Sequence, residues 1–222
     1  MVSVRTSAIH AHQQRHQRAV QVLDELRDVT LDETRTHGRV QLVTLGSIVR
    51  VLAVGRLRPS DGFVRDSGVP FIRPHDLGPD GLWRSQVRRI SVEDQQRCVG
   101  GRLYANDLVL ARCTLRSVRC AEVPSDWAGA IGADLLILRP GPRITGFYLE
   151  HMMRQPSLRT ALSGRAHLTP DVIQRLRVPL PTPLALHLCA RRLTAITALR
   201  ARHRAAWLAV GRLASLTVNS GG

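Results

Sequence analysis

The sequence predicts an α+β protein: a loop-rich mixed β-sheet domain flanked by long N- and C-terminal helices. Three observations predict it. Residues from about Ser7 to Leu31 carry no Gly or Pro and place apolar side chains at helical spacing. The middle of the chain alternates short apolar runs with Gly and Pro, and the last stretch is again free of proline after Pro183. The chain has 222 residues, 44% hydrophobic and 22% charged, enough to bury a core without staples.

In the first helix Ala19, Val22, Leu23, Leu26 and Val29 recur three and four apart, over a length of roughly 38 Å at 1.5 Å per residue. The run from Thr34 to Gly38 is expected to break it. Residues 1–37 therefore form an N-terminal helix and 38–181 a separate domain, in which Val69–Ile72, Leu108–Ala111 and Leu135–Leu138 read as strands buried on both faces. Helix starts are legible at Ser91, at Thr145 before Phe147–Met153 with Pro156 as its stop, and at Thr169-Pro170 and Thr182-Pro183. In the last two a hydroxyl cap precedes a proline whose missing N–H costs nothing. Residues 182–222 make a coiled-coil-like spacer helix from Leu184 to about Leu216, roughly 50 Å long, with an apolar stripe through Leu193, Ile196, Trp207 and Val210. Its excess length over the first helix predicts apolar surface left for a second chain.

Charge narrows the function. The chain has 32 basic and 17 acidic residues, a net charge of +15, and every basic residue counted there is Arg. Without Lys, Schiff-base catalysis, a phosphate-loop nucleotide hydrolase and a nuclease with a Lys-completed metal site are excluded. A polyanion is the expected partner, because cations that neutralise phosphates release counterions. Four cysteines without a Cys-x-x-Cys pair read as reduced, mostly buried thiols. No apolar run reaches the ~18 residues of a membrane span, and nothing at the start resembles a signal peptide, so a cytoplasmic protein with no membrane partner is expected.

Catalytic constellations are missing from the sequence. His12 and His16 have an i, i+4 spacing that could hold a metal, but no Cys or carboxylate follows at a useful distance, so they read as a solvated face. Gly100-Gly101 is a turn doublet, Asp61, Asp66, Asp76, Asp80, Asp107 and Asp134 read as turn caps, and no Gly-x-Ser-x-Gly elbow exists. The protein is expected to be no enzyme, with no cofactor and no metal. Arginine instead clusters in the loop-rich middle, where guanidinium forks suit phosphates and the O6/N7 edge of guanine. The candidate DNA contacts are Arg56, Arg58, Arg65, Arg73, His75, Arg112, Arg116, Arg119, Arg165 and His167. Arg73, His75 and Arg112 directly follow strand-like runs and are expected to emerge together at a sheet edge, while Arg165 and His167 precede the Thr169-Pro170 helix start. With two Tyr, three Trp and three Phe, a stacking platform for single strands is poorly supplied, and duplex DNA is favoured.

Four segments in order carry a resemblance: Gly68-Val-Pro-Phe-Ile-Arg-Pro-His-Asp-Leu77, Arg102-Leu-Tyr-Ala-Asn-Asp-Leu-Val-Leu-Ala-Arg112, Leu162-Ser-Gly-Arg-Ala-His-Leu-Thr-Pro-Asp171 and Leu176-Arg-Val-Pro-Leu-Pro181. Together they resemble a target recognition domain of type I restriction-modification specificity subunits. The resemblance implies a non-catalytic reader of double-stranded DNA that docks a DNA methyltransferase subunit and uses paired helices as a spacer. Full-length family members carry two such domains. This chain has room for one, which implies a half-subunit that forms a homodimer or pairs with a related half-subunit. The alternative is an adaptor or interaction protein of a phage-defence complex with weak DNA binding.

Overall fold

A computed structural model describes residues 2–37, 40–60, 62–64, 67–78, 81–82, 87–113 and 117–219, without the side chains of 2–13, 16, 34–37, 99, 200, 201, 204 and 207–219. The chain divides into two compact units, one of residues 1–39 with 184–222 and one of residues 40–183.

The first unit holds two long helices, α1 (Val2–His37) and α6 (Pro183–Asn219). Both outrun the sequence expectation. The Thr and Asp residues after Leu31 cost only a few tenths of a kcal/mol each in a helix, too little to stop one. Thr30 stays helical by donating its hydroxyl to the Leu26 carbonyl at 2.8 Å. The two helices therefore have 36 and 37 residues, so the expected excess length of α6 over α1 does not exist. An ion pair joins them, Arg192 to Glu33 at 2.6 Å, and Leu31, Cys189 and Leu193 are buried while Ile196 is half-buried. Trp207 and Val210 lie on α6, but their side chains are outside the described residues, as are those of His12 and His16 on α1.

The second unit is built on short strands. A four-stranded antiparallel sheet has the order β2 (Val49–Ala53), β10 (Leu135–Pro140), β7 (Leu108–Ala111) and β8 (Cys120–Glu122). A second sheet sets β3 (Val69–Ile72) between β6 (Arg88–Ile90), antiparallel, and β9 (Ile131–Gly132), parallel, which makes the fold mixed. Two further pairs are β1 (Gln41–Thr44) with β11 (Arg177–Leu180), and β4 (Leu77–Gly78) with β5 (Gly81–Leu82). Pro179 sits in β11 because a two-stranded pair leaves each strand an unpaired edge, where a missing N–H is tolerated.

The buried runs pack as their composition demands. β7 is buried at all four positions, and Val109, Ala111, Leu135 and Ile137 join Ile72, Leu103, Val123 and Trp127 in one core cluster. Phe71, Ile90, Ile131 and Ala133 form a second. Four shorter helices complete the unit: α2 (Val92–Arg97), α3 (Gly146–Met153), α4 (Pro156–Leu162) and α5 (Pro170–Gln174). Ser91 and Thr145 cap α2 and α3 with their hydroxyls, accepting from the amides of Asp94 and Tyr148 at 3.1 and 3.2 Å. Pro156 does not merely end α3 but opens α4, since its fixed φ suits a first helical position. The start of α3 tolerates only glycine, because a Cβ on Gly146 would lie 2.0 Å from the Asn106 carbonyl oxygen.

Two of the carboxylates read as turn caps are buried and hold arginines. Asp107 takes a bidentate pair from Arg139, and Asp76 accepts the Arg73 amide at 2.8 Å with the guanidinium at 3.3 Å. Asp94 ties the 54–60 loop to α2 through the Ser60 amide and hydroxyl at 3.0 and 2.7 Å. Of the cysteines, Cys120 and Cys189 are buried, Cys98 is half-buried and Cys113 is exposed, so burial of the thiols is less general than the composition suggested. Burial pushes the Cys120 thiol up to about 11.

Glu122 carries a pH dependence. Burial first, and the neighbouring Glu150 second, push its carboxyl from the ordinary 4.5 up to about 7. A carboxyl raised on folding binds its proton more tightly in the native state, so its contribution is complete below pH 4.5 and is lost as pH rises through 7. Glu122→Gln is expected to stabilise the protein at pH 8 by on the order of 1 kcal/mol, after allowance for partial solvent exposure, and to change little at pH 4.5. Thermal unfolding at the two pH values measures this.

Candidate nucleic-acid interface

The strand order brings the candidate arginines to one end of the sheets. β2 and β7 both run antiparallel to β10, so Ala53 and Ala111 end beside its start, opposite Leu136 and Leu135. β3 ends there too: the Ala133 amide donates to the Ile72 carbonyl and the Asp134 amide to the Gly55 carbonyl, both at 2.9 Å. Arg56, Arg73 and Arg112 each follow directly on these three backbone positions. Arg119 joins them, since its carbonyl accepts from the Ala111 amide at 2.9 Å, and the Leu168 amide donates to the Arg112 carbonyl at 2.7 Å. A single rim thus gathers Arg56, Arg58, Arg73, His75, Arg112, Arg119 and the 165–168 segment.

The side chains on this rim differ in what holds them. Arg56 and Arg58 are exposed, on the loop anchored at Ser60. Arg112 meets the His167 ring, and its buried Nε has no partner. The exposed end of that guanidinium, with Arg119 across the hairpin, is a place where an anion would be welcomed. Arg165 is exposed and turns toward the Ala161 carbonyl at 3.5 Å. The helix after it has only five residues, and Thr169 gives it no side-chain cap bond, so helix-end electrostatics adds little here. Arg73 is committed elsewhere, to the fully buried Asp76, with exposed His75 at 3.6 Å from the same carboxylate. Arg65 and Arg116 lie outside the described residues.

Sequence reasoning missed Phe63 here, and took Arg88 only as one of the clustered arginines and not as a candidate contact. The Phe63 ring is 41% exposed, with the Arg88 guanidinium 4.7 Å and the Arg73 guanidinium 5.4 Å from its centroid. Phe71 supports it from below, 5.9 Å between ring centroids. The positive φ of Gly68, 134°, carries the chain into β3 where any Cβ would strike the Ile90 carbonyl at 2.4 Å. No spacing in the sequence announces a contact between residues 63 and 88.

No family model matches the sequence, and no curated protein does. Solved structures do. The HsdS subunit from Thermoanaerobacter tengcongensis superposes with a TM-score of 0.56 at 16% identity, over 98% of this chain and 56% of that one. The S subunit of a type I restriction-modification system from M. genitalium gives 0.63 at 10% identity, over 95% and 56%. The fold is that of type I restriction-modification specificity subunits. A chain from a type I restriction-modification system solved for its complex assembly and conformational transition gives 0.55 at 17% identity, over 96% and 57%. The chain spans a little over half the length of these solved chains, so the specificity-subunit fold is present here with one sheet domain and its two long helices. Among the described residues no group of three or more His, Cys, Asp or Glu could hold a metal, and no helix is long and apolar enough to cross a membrane.

Proposed function

We propose that the protein reads double-stranded DNA as the specificity component of a restriction-modification system, with methylation or cleavage supplied by other chains. The observation that carries this reading is the convergence of Arg56, Arg58, Arg112, Arg119 and His167 at one rim of a specificity-subunit fold. Phosphates would be met by the exposed Arg56 and Arg58, and a base edge by Arg112, whose guanidinium is fixed by its strand and by His167. One sheet domain reads one half of a split target. Pairing with a second copy or a related half-subunit supplies the other half, and the helix pair sets the gap and docks the methyltransferase.

Selection from a pool of random duplexes tests the proposal: one motif, split by a fixed gap, is expected to be enriched. A pool that stays flat would leave the helices as the working part and favour the adaptor alternative. Within an enriched motif, Arg112→Ala is expected to cost about 1–3 kcal/mol, roughly 5- to 150-fold, at one base position. Loss spread evenly over all sequences would instead assign Arg112 to a phosphate.

A further inference from the structure

At the opposite end of the four-stranded sheet lies a second concentration of arginines. β10 is six residues long, so this end is about 20 Å from the rim described above. Arg50 on β2 and Arg139 on β10 are direct cross-strand partners. Together with Arg143 they line a groove of about 600 Å³, and no carboxylate lines it. Like charges placed opposite each other on a sheet destabilise it unless each is balanced.

Counting the charge identifies what would offset it. Arg139 is neutralised by Asp107, which takes both of its nitrogens at 2.9 Å. Arg50 is exposed, and Arg143 makes only a neutral contact, to the Gln41 amide oxygen at 3.2 Å. Two unbalanced positive charges remain. A carboxylate or a phosphodiester carries one negative charge, whereas a phosphate monoester carries about −1.5 to −2 near neutral pH and offers three acceptor oxygens. Guanidinium forks match those oxygens bidentately. The rest of the groove suits the body of such a ligand: Val51, Pro140 and Pro142 give apolar wall, and Ser47 and Gln174 add hydrogen-bonding groups. The groove is open to solvent, with room for a small molecule.

We propose that this groove binds a phosphate monoester carried on a nucleoside-sized body, held by Arg50 and Arg143. The monoester belongs either to a free nucleotide or to the 5′-phosphate of a DNA end. Binding here is independent of DNA reading at the other rim, and either can fail without the other.

Calorimetric titration of the full chain with a nucleoside 5′-monophosphate tests the site. Saturable binding is expected, at least tenfold weaker for the methyl phosphodiester of the same nucleotide and for inorganic phosphate. Arg50→Gln and Arg143→Gln, both at exposed side chains without an ion pair, are each expected to weaken it at least tenfold with unchanged unfolding midpoints. Arg112→Ala at the opposite rim and Arg159→Gln on α4 are expected to bind as the unaltered chain does. Displacement of the nucleotide by a 5′-phosphorylated duplex, but not by its dephosphorylated form, assigns the phosphate to a DNA end, and no displacement by either assigns it to a free nucleotide. Absence of saturable binding, equal binding of the diester, or a loss shared by Arg112→Ala overturns the proposal, and inorganic phosphate binding equally well overturns the role of the apolar wall.

Discussion

Replacing Arg139 with alanine is expected to destabilise the sheet domain by about 3–5 kcal/mol, the cost of leaving a buried charge without its partner. The asymmetry of the pair sets which partner matters more. Asp107 is 1% exposed and Arg139 is 29% exposed. Removing Arg139 strands the carboxylate with only the Tyr104 amide, at 2.9 Å, to satisfy it. Removing Asp107 leaves a guanidinium that still stacks on the Tyr104 ring at 4.2 Å and can reach water. Asp107→Ala should therefore cost less, about 1–3 kcal/mol. The double variant should cost less than the two single changes added together, because each single change already breaks the same bonds. Urea unfolding of the three variants measures the cycle, and equal costs for the two single changes would contradict the burial argument. The same pair also pushes Arg139 further into its charged form, through its hydrogen bonds to Asp107.

How far the sequence carries one toward this arrangement depends on what each feature rests on. β3, β7 and β10 were legible because their side chains are apolar without alternation, and a strand buried on both faces needs that composition. The two-residue strands β5 and β9 leave no such signature, since Gly81-Leu82 and Ile131-Gly132 are too short for any period to show. α1 ends at His37, inside the run from Thr34 to Gly38 expected to break it, and outruns the apolar stretch from Ser7 to Leu31 because the Thr and Asp residues after Leu31 cost little in a helix. For the rim, the residue types are legible, and a shared edge for Arg73 and Arg112 is expected from their places after apolar runs, whereas that of Arg56 with them is not. That Arg56, Arg73 and Arg112 share an end follows from register, through the Gly55 and Ile72 carbonyls meeting successive amides at Asp134 and Ala133. No local pattern encodes such pairings. The Arg73–Asp76 pair, by contrast, is only three residues apart, within reach of a local reading. The rear groove depends wholly on the pairing of β2 with β10, which opposes Arg50 to Arg139 across 89 residues of chain.

The affinity of the protein for duplex DNA is expected to fall about 150-fold between about 50 and 200 mM salt. The formal net charge of +15 would suggest far more, since each phosphate neutralised contributes about −0.9 to the slope of log K against log salt. Only arginines that meet the duplex contribute, and those held in ion pairs contribute least. Arg27, Arg73, Arg97, Arg139, Arg154 and Arg192 each sit within 4 Å of a carboxylate. At the rim, Arg56, Arg58, Arg88 and Arg119 remain for phosphates, and four contacts give a slope of about −3.6. Over a fourfold rise in salt this is a loss of roughly 150-fold. Titration of a fluorescent duplex at four or five salt concentrations gives the slope directly. A value near −1 would mean that the rim does not track a phosphate backbone at all, whereas one beyond −9 would require arginines outside it. Arg56→Gln with Arg58→Gln should flatten the slope by about 1.8, because both side chains are exposed, and should leave the enriched motif unchanged, because phosphates carry no sequence information.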